Sequence, residues 1–376
     1  MIKSLRLPLW ADLHAHFRQG EITKLLADEY LKMGCYAVLA MPNTSPPVGK
    51  VFYEDTLAYS SVVEYQKFVE DCFGGKLSAV IVPLYITRDT TAKMIEDGAK
   101  KGVLKAVKYY PPHGTTNSHH SLSIEELIDS DVMKALEANG IVFCVHGEAH
   151  GMKAAEYFDK YTNAESVFYQ RYMPKIVAKY PKLKIVAEHI TTSTAVDFVN
   201  GSGANVVATI TPQHLLYTIG DLLQTKSTHL VCMPYVKFNE DRSALRNAVI
   251  DANNSKFFAG TDNAPHPKLS KQTDCGCAAG CYVGGIAPQL YAMAFEEAGV
   301  DLFTEQGYSA FKKFLCDIGP AFYGLPKPEG TFELMKKPSV VNILNTNVGE
   351  IIPLPVGMVN EAERKGVTLP WSVLAD

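Results

Sequence analysis

Short apolar runs of strand length alternate with stretches of helical periodicity along most of the chain, and this repetition limits the fold more than any other feature. The runs span 9–13, 36–41, 77–84, 103–107, 141–145, 184–187, 205–210 and 257–259. Between them, 21–33, 90–101, 123–138, 192–199 and 241–253 read as helices, several opened by Ser, Thr or Asp and closed by Gly. Such alternation predicts an α/β chain with a parallel sheet, and eight repeats predict closure into a (β/α)8 TIM barrel. A doubly wound open sheet is the alternative. The 376 residues, 47% of them hydrophobic, suffice for one large core, and barrels of this kind often use that length in a single domain. We therefore expect one domain over 1–376. The barrel occupies about 5–320, and a short C-terminal extension of Gly, Pro and brief apolar runs occupies about 321–376.

Charge and cysteine content narrow the function classes. A net charge of −4 with no basic stripe argues against nucleic acid as a partner. No apolar run approaches the roughly 18 residues of a membrane span, and the first polar motif comes too early for a secretory leader, so a cytoplasmic protein is expected. Eight cysteines spread over this length do not form a secreted disulfide framework. Cys275, Cys277 and Cys281 invite a structural zinc reading but lack a fourth ligand at the usual spacing. Gly201 and Gly203 follow a helix and lack the rest of a phosphate-binding fingerprint.

Polar residues with metal-binding chemistry fall at the ends of the apolar runs. In Asp12-Leu-His14-Ala-His16-Phe-Arg18, alternate side chains of an extended segment share a face, so His14 and His16 can chelate one ion. Asp12 and Arg18 join them if the strand geometry persists. Lys108 ends the fourth run. Alone it reads as a solvated tip or a phosphate contact, but beside two cations a desolvated amine can add carbon dioxide, giving a carbamate whose two oxygens each hold a metal. Lys105 sits further down the same strand. His146 and His189 each offer one imidazole at the next two tips. Glu148 is a candidate partner of these ligands, whereas Glu188, adjacent to His189, is expected to face the opposite side. Asp262 follows the last run, as a ligand and proton carrier or as a turn aspartate. His266, in a Pro-containing loop, reads as a substrate contact, and His113, His119 and His120 are expected to face solvent.

In combination these motifs resemble the dihydroorotase family, in its compact single-domain form within the amidohydrolase superfamily. The resemblance covers nearly the whole chain. It rests on D-L-H-A-H-F-R from Asp12, M-P-N-T from Met41, V-K-Y-Y-P from Val107 with T-T-N-S from Thr115, V-H-G-E from Val145, E-H-I-T-T from Glu188, G-T-D-N-A-P-H from Gly260 and C-G-C-A-A-G-C from Cys275. It implies reversible closure of N-carbamoyl-L-aspartate to L-dihydroorotate in de novo pyrimidine synthesis, with a small molecule as the partner and a homodimer as the assembly. It further implies two zinc ions, one held by His14, His16 and Asp262, the other by His146 and His189, bridged by carboxylated Lys108 and a hydroxide. Asp262 would shuttle the proton. Arg18, Asn43 and His266 match positions that grip the substrate carboxylate, and backbone groups of Met233 and Ala278 match positions on the ring edge. Thr115 and Thr116 match a mobile loop that closes over substrate; a plain surface loop is the alternative. The chain departs from the pattern by an extra alanine at Ala278-Ala279 and by Met233 where leucine is common. A different cyclic amide hydrolase, a mononuclear deaminase, or a metal-free scaffold are the competing functions.

Overall fold

The computed structural model describes residues 2–55, 58–112, 114, 120–274 and 276–375. After an N-terminal strand β1 (Ser4–Pro8), the apolar runs become parallel strands: β2 (Trp10–Ala15), β3 (Cys35–Ala40), β4 (Ala79–Ile81), β5 (Leu84–Tyr85), β6 (Ala106–Tyr109), β7 (Val142–His146), β8 (Ile185–Glu188), β9 (Val206–Ile210) and β10 (Phe257–Ala259). They lie in two arcs, β2-β3-β4 and β5-β6-β7-β8-β9-β10. Every neighbouring pair is parallel, which requires the crossover connections that the helical stretches supply. The chain is thus α/β.

Two seams separate the arcs. At the first, β4 runs on into β5 through Val82 and Pro83. Proline has no N–H to give the ladder, so the single strand expected over 77–84 is two short ones. At the second, the His16 amide donates to the Asn263 carbonyl at 2.9 Å and the Asp262 amide to the His14 carbonyl at 2.8 Å. Ala15 and Asn263 there form a parallel bridge.

Side chains from both arcs meet in one apolar cluster that includes Leu13, Leu39, Val142, Val186, Val207 and Phe258. A larger cluster packs the outer strand faces against the helices. Helix starts follow the local chemistry. Thr91 accepts from the Met94 amide at the start of Ala92–Lys100, and Thr192 accepts from the Ala195 amide before Ser193–Gly201. The helix expected over 123–138 is instead two, Ile124–Ile128 and Asp131–Asn139, with Ser130 as the second N-cap residue and Gly140 ending it at φ 64°.

The C-terminal segment packs back on the beginning of the chain. Strand β11 (Thr331–Met335) pairs antiparallel with β1, and after the β12–β13 hairpin (Leu344–Thr346, Gly349–Ile351), β14 (Ser372–Ala375) pairs with β11. Trp371 is fully buried, and its indole N–H donates to Glu296 at 2.9 Å. Among the described residues, no helix is long and apolar enough to cross a membrane.

Candidate metal centre

Strand periodicity aims most of the site. On β6, β7, β8 and β10 the inward positions are Ala106, Val142 with Cys144, Val186 and Phe258, all in the inner cluster. Two-residue steps from these continue inward to Lys108, His146, Glu188, Gly260 and Asp262 at the C-terminal ends of the strands. Gly260 is needed there: a Cβ would lie 2.7 Å from Thr209 Cγ2 and 3.0 Å from His14 Cβ. Strand β2 departs from simple alternation. Ala11 and Leu13 join the inner cluster, yet His14 and His16 also face the site, because the register against β3 shifts between Asp12 and Ala15. Asp12 consequently does not join the histidines. Its carboxylate accepts from the Thr261 hydroxyl at 2.6 Å and the Tyr30 hydroxyl at 2.8 Å.

Left-handed backbone completes the aiming. Arg18 (φ 62°), His189 (φ 41°) and Asp262 (φ 49°) adopt a conformation that side-chain-bearing residues rarely take. Each costs roughly 1–3 kcal/mol, held in place by the surrounding packing. At His189 the turn overrides alternation. Glu188 already faces inward, and the rotation at His189 brings the imidazole to the same side. The expected outward position of Glu188 is therefore wrong. Its carboxylate accepts from His14 Nδ1 at 2.6 Å and from the Thr209 hydroxyl at 2.7 Å, so it fixes the tautomer and orientation of a candidate ligand.

Nε2 of His14, Nε2 of His16 and Oδ1 of Asp262 converge. With Nδ1–H of His14 given to Glu188 and Nδ1–H of His16 given to Asn43 Oδ1 at 2.7 Å, both Nε2 lone pairs point at Asp262. His16 Nε2 lies 2.9 Å and His14 Nε2 3.4 Å from Asp262 Oδ1. The ligand atoms of these three buried residues lie within 4.8 Å of one another. Neutral imidazoles facing a carboxylate repel it unless a cation sits between them. Burial holds His16 down to about 4, while on His14 burial is outweighed by Glu188 and Asp262, which raise its pKa. The place thus calls for positive charge, and a divalent metal fits it.

Lys108, His146 and His189 face this triad. The Lys108 amine is fully buried and, like Nδ1 of His189, has no hydrogen-bond partner among the described residues. Burial lowers its pKa against the opposing pull of Glu188, Cys144 and Asp262, which favours the neutral amine. Lys105, by contrast, is exposed. The His189 ring centroid is 4.8 Å from that of His14 and 4.6 Å from that of His146. Nε2 of His146 is engaged by Glu148 at 2.7 Å, the partnership anticipated for that glutamate.

A narrow cavity of about 20 Å³ adjoins these groups, lined by Arg18, Asn43, Tyr110, Met233, Ala279 and Gly280 as well as by His16, His146, His189 and Asp262. Arg18 Nη2 is 2.9 Å from Nε2 of His266, which also lies 3.0 Å from the Ala279 carbonyl. A second, more open cavity shares Arg18 and Asn43 with it and is lined also by His266 and by Asn347 and Val348 of the β12–β13 hairpin turn.

No family model matches the chain. A protein of Shewanella halifaxensis named dihydroorotase is 37% identical over 350 residues, 92% of this chain and 94% of its own length. The structure of a dihydroorotase from Saccharomyces cerevisiae in complex with 5-fluoroorotic acid superposes with a TM-score of 0.84 at 27% identity, covering 99% of both chains. A dihydroorotase structure from Campylobacter jejuni gives 0.80 at 25% identity, over 99% of this chain and 98% of that one. This chain belongs to the dihydroorotase family.

As a dihydroorotase-family cyclic amide hydrolase, it places the expected residues unevenly. His14, His16, Lys108, His146, His189 and Asp262 are all buried in one region. Arg18, Asn43, Met233 and His266 border the narrow cavity or the more open one. Ala278 does not line the cavity: its N–H donates to Ser270 and its carbonyl accepts from Lys271, and Ala279 and Gly280 take the lining positions. Thr115 and Thr116 lie outside the described residues, as do His113, His119 and Cys275. Cys277 and Cys281 belong to no metal-holding group among the described residues. Sequence reasoning missed Tyr110 and misplaced Glu188. Stepping by two from Lys108 and from Val186 would have found both.

Proposed function

We propose that this chain catalyses the reversible cyclisation of N-carbamoyl-L-aspartate to L-dihydroorotate, the ring-closing step of de novo pyrimidine synthesis. The observation that carries the reading is the convergence of His14, His16 and Asp262 beside a buried lysine that has no hydrogen-bond partner among the described residues. We further take the two arcs to close into one (β/α)8 barrel over about 5–320, with about 321–376 as its extension in a single domain. The assembly is a cytoplasmic homodimer acting on a small molecule, a reading that rests on family likeness.

His14, His16 and Asp262 would hold one zinc ion and His146 and His189 a second, with a carbamate on Lys108 between them. When bound, such a pair lowers the pKa of a water and polarises the amide carbonyl. The protein's own part follows from its geometry. Glu188, Asn43 and Glu148 each engage one nitrogen of His14, His16 and His146, leaving the other to a metal. In hydrolysis, Asp262 takes a proton from the water that adds to the ring carbonyl. As the C–N bond breaks, it delivers that proton to the departing ureido nitrogen. Ring closure runs the same path backwards. The guanidinium of Arg18, half-buried at the cavity mouth, binds the substrate carboxylate through its planar fork, with Asn43 and His266 beside it.

Metal analysis of the purified chain together with an ultraviolet assay supplied with either L-dihydroorotate or N-carbamoyl-L-aspartate tests the proposal. We expect about two zinc ions per chain and turnover in both directions. A metal-loaded chain that turns over neither compound would sink it. Arg18→Ala removes charge-assisted hydrogen bonds of about 1.5–3 kcal/mol. KM should rise on the order of 10- to 100-fold while kcat stays within about threefold. An unchanged KM would take Arg18 out of substrate recognition.

A further inference from the structure

Among the described residues, several buried polar atoms around the cavity lack a hydrogen-bond partner: Nε2 of His14, Nζ of Lys108, Nδ1 of His189 and the hydroxyl of Tyr110. The first three are candidate metal-facing atoms. The Tyr110 hydroxyl is not accounted for by the metals or by the carboxylate grip. Neighbouring tyrosines do satisfy theirs: Tyr85 bonds Ser121 at 2.7 Å, Tyr65 donates to the Arg18 carbonyl at 3.0 Å, and Tyr291 donates to the Ile210 carbonyl at 2.9 Å. Tyr169 also lacks a partner, but it packs behind Gly147 and does not line the cavity. A rigid interior that leaves one hydroxyl unpaired at a cavity wall is built to receive a partner from the cavity.

Tyr110 is held firmly. It is 2% exposed, its ring meets Tyr85 edge-on at 5.1 Å, and the Lys108 amine lies 5.1 Å from its centroid. It stands two residues beyond Lys108 on the same strand face, with the His146 ring 6.4 Å away, and its charged neighbours include Asp262 and Arg18. Tyr110 thus lines the same cavity as Asp262, the group that moves the proton in the reading above, and Arg18, the group that grips the carboxylate. Resting on that reading, we propose that the Tyr110 hydroxyl is a catalytic donor to the oxygen of the ring carbonyl, bonding most strongly as the carbon becomes tetrahedral. A phenol keeps its proton at neutral pH, so it donates without adding charge to the ground state.

Tyr110→Phe in the full, metal-loaded chain tests this. We expect kcat to fall on the order of 100-fold in both directions. KM, zinc content, Tm and the calorimetric Kd for 5-fluoroorotic acid should stay close to the parent values. A kcat within about threefold of the parent overturns the assignment. A tenfold rise in KM or Kd with kcat preserved also overturns it, by moving the hydroxyl to the carboxylate. Loss of zinc or of Tm together with kcat overturns it in favour of a structural role. Absence of turnover in the parent chain would fell the underlying function first, before any variant is made.

Discussion

Lys108→Ala leaves a chain that binds one zinc ion in place of two and turns over dihydroorotate at least about 10²- to 10⁴-fold more slowly. The magnitude follows from the several kcal/mol of transition-state stabilisation that a metal acting as a Lewis acid contributes, at 1.36 kcal/mol per factor of ten. The amine is fully buried and lacks a hydrogen-bond partner among the described residues. Such a group is costly to bury unless it is neutral or converted to something with partners. Carboxylation does the latter, and alanine can do neither. Metal stoichiometry after dialysis, measured beside kcat, checks the result. A variant with two tightly held zinc ions and parent-like turnover would remove Lys108 from the centre.

Asp262→Asn is expected to reduce kcat in both directions by about 10²- to 10⁴-fold, the usual worth of a positioned acid–base group. Asparagine keeps the size and the left-handed backbone turn tolerably well, since it enters that region more readily than most residues. What it loses is the negative charge at 2.9 Å from His16 and 3.4 Å from His14. One metal should therefore bind more weakly, and the proton should have no carrier. Steady-state rates at saturating zinc separate the two effects, because excess metal restores occupancy but not proton transfer. Parent-like turnover under those conditions would exclude Asp262 from the mechanism.

The strand-tip logic was readable from sequence wherever period-two alternation held. From Ala106 it leads to Lys108, and from Val142 to His146, without any knowledge of the fold. It failed at three places with local causes. A register shift in β2 puts His14 on the same side as Leu13 and sends Asp12 to Thr261 and Tyr30. Positive φ at His189 brings two consecutive residues inward, which hid the link between Glu188 and His14. The pairing of β1 with β11 joins segments more than 300 residues apart in sequence, and no local pattern announces such a partner. Helix boundaries moved by a few residues, as caps at Thr91, Ser130 and Thr192 overrode the apolar periodicity.

That three-stranded sheet has a consequence for how the molecule is made. Ser4–Pro8 emerges from the ribosome more than 300 residues ahead of its partner β11, and β14 comes later still. At 5–20 residues per second, the opening segment waits on the order of tens of seconds for its neighbour, with Leu5 and Leu7, buried in the finished protein, unshielded meanwhile. The strands that carry Lys108, His146 and Glu188 can assemble during that interval, whereas β1, β11 and β14 must be completed together.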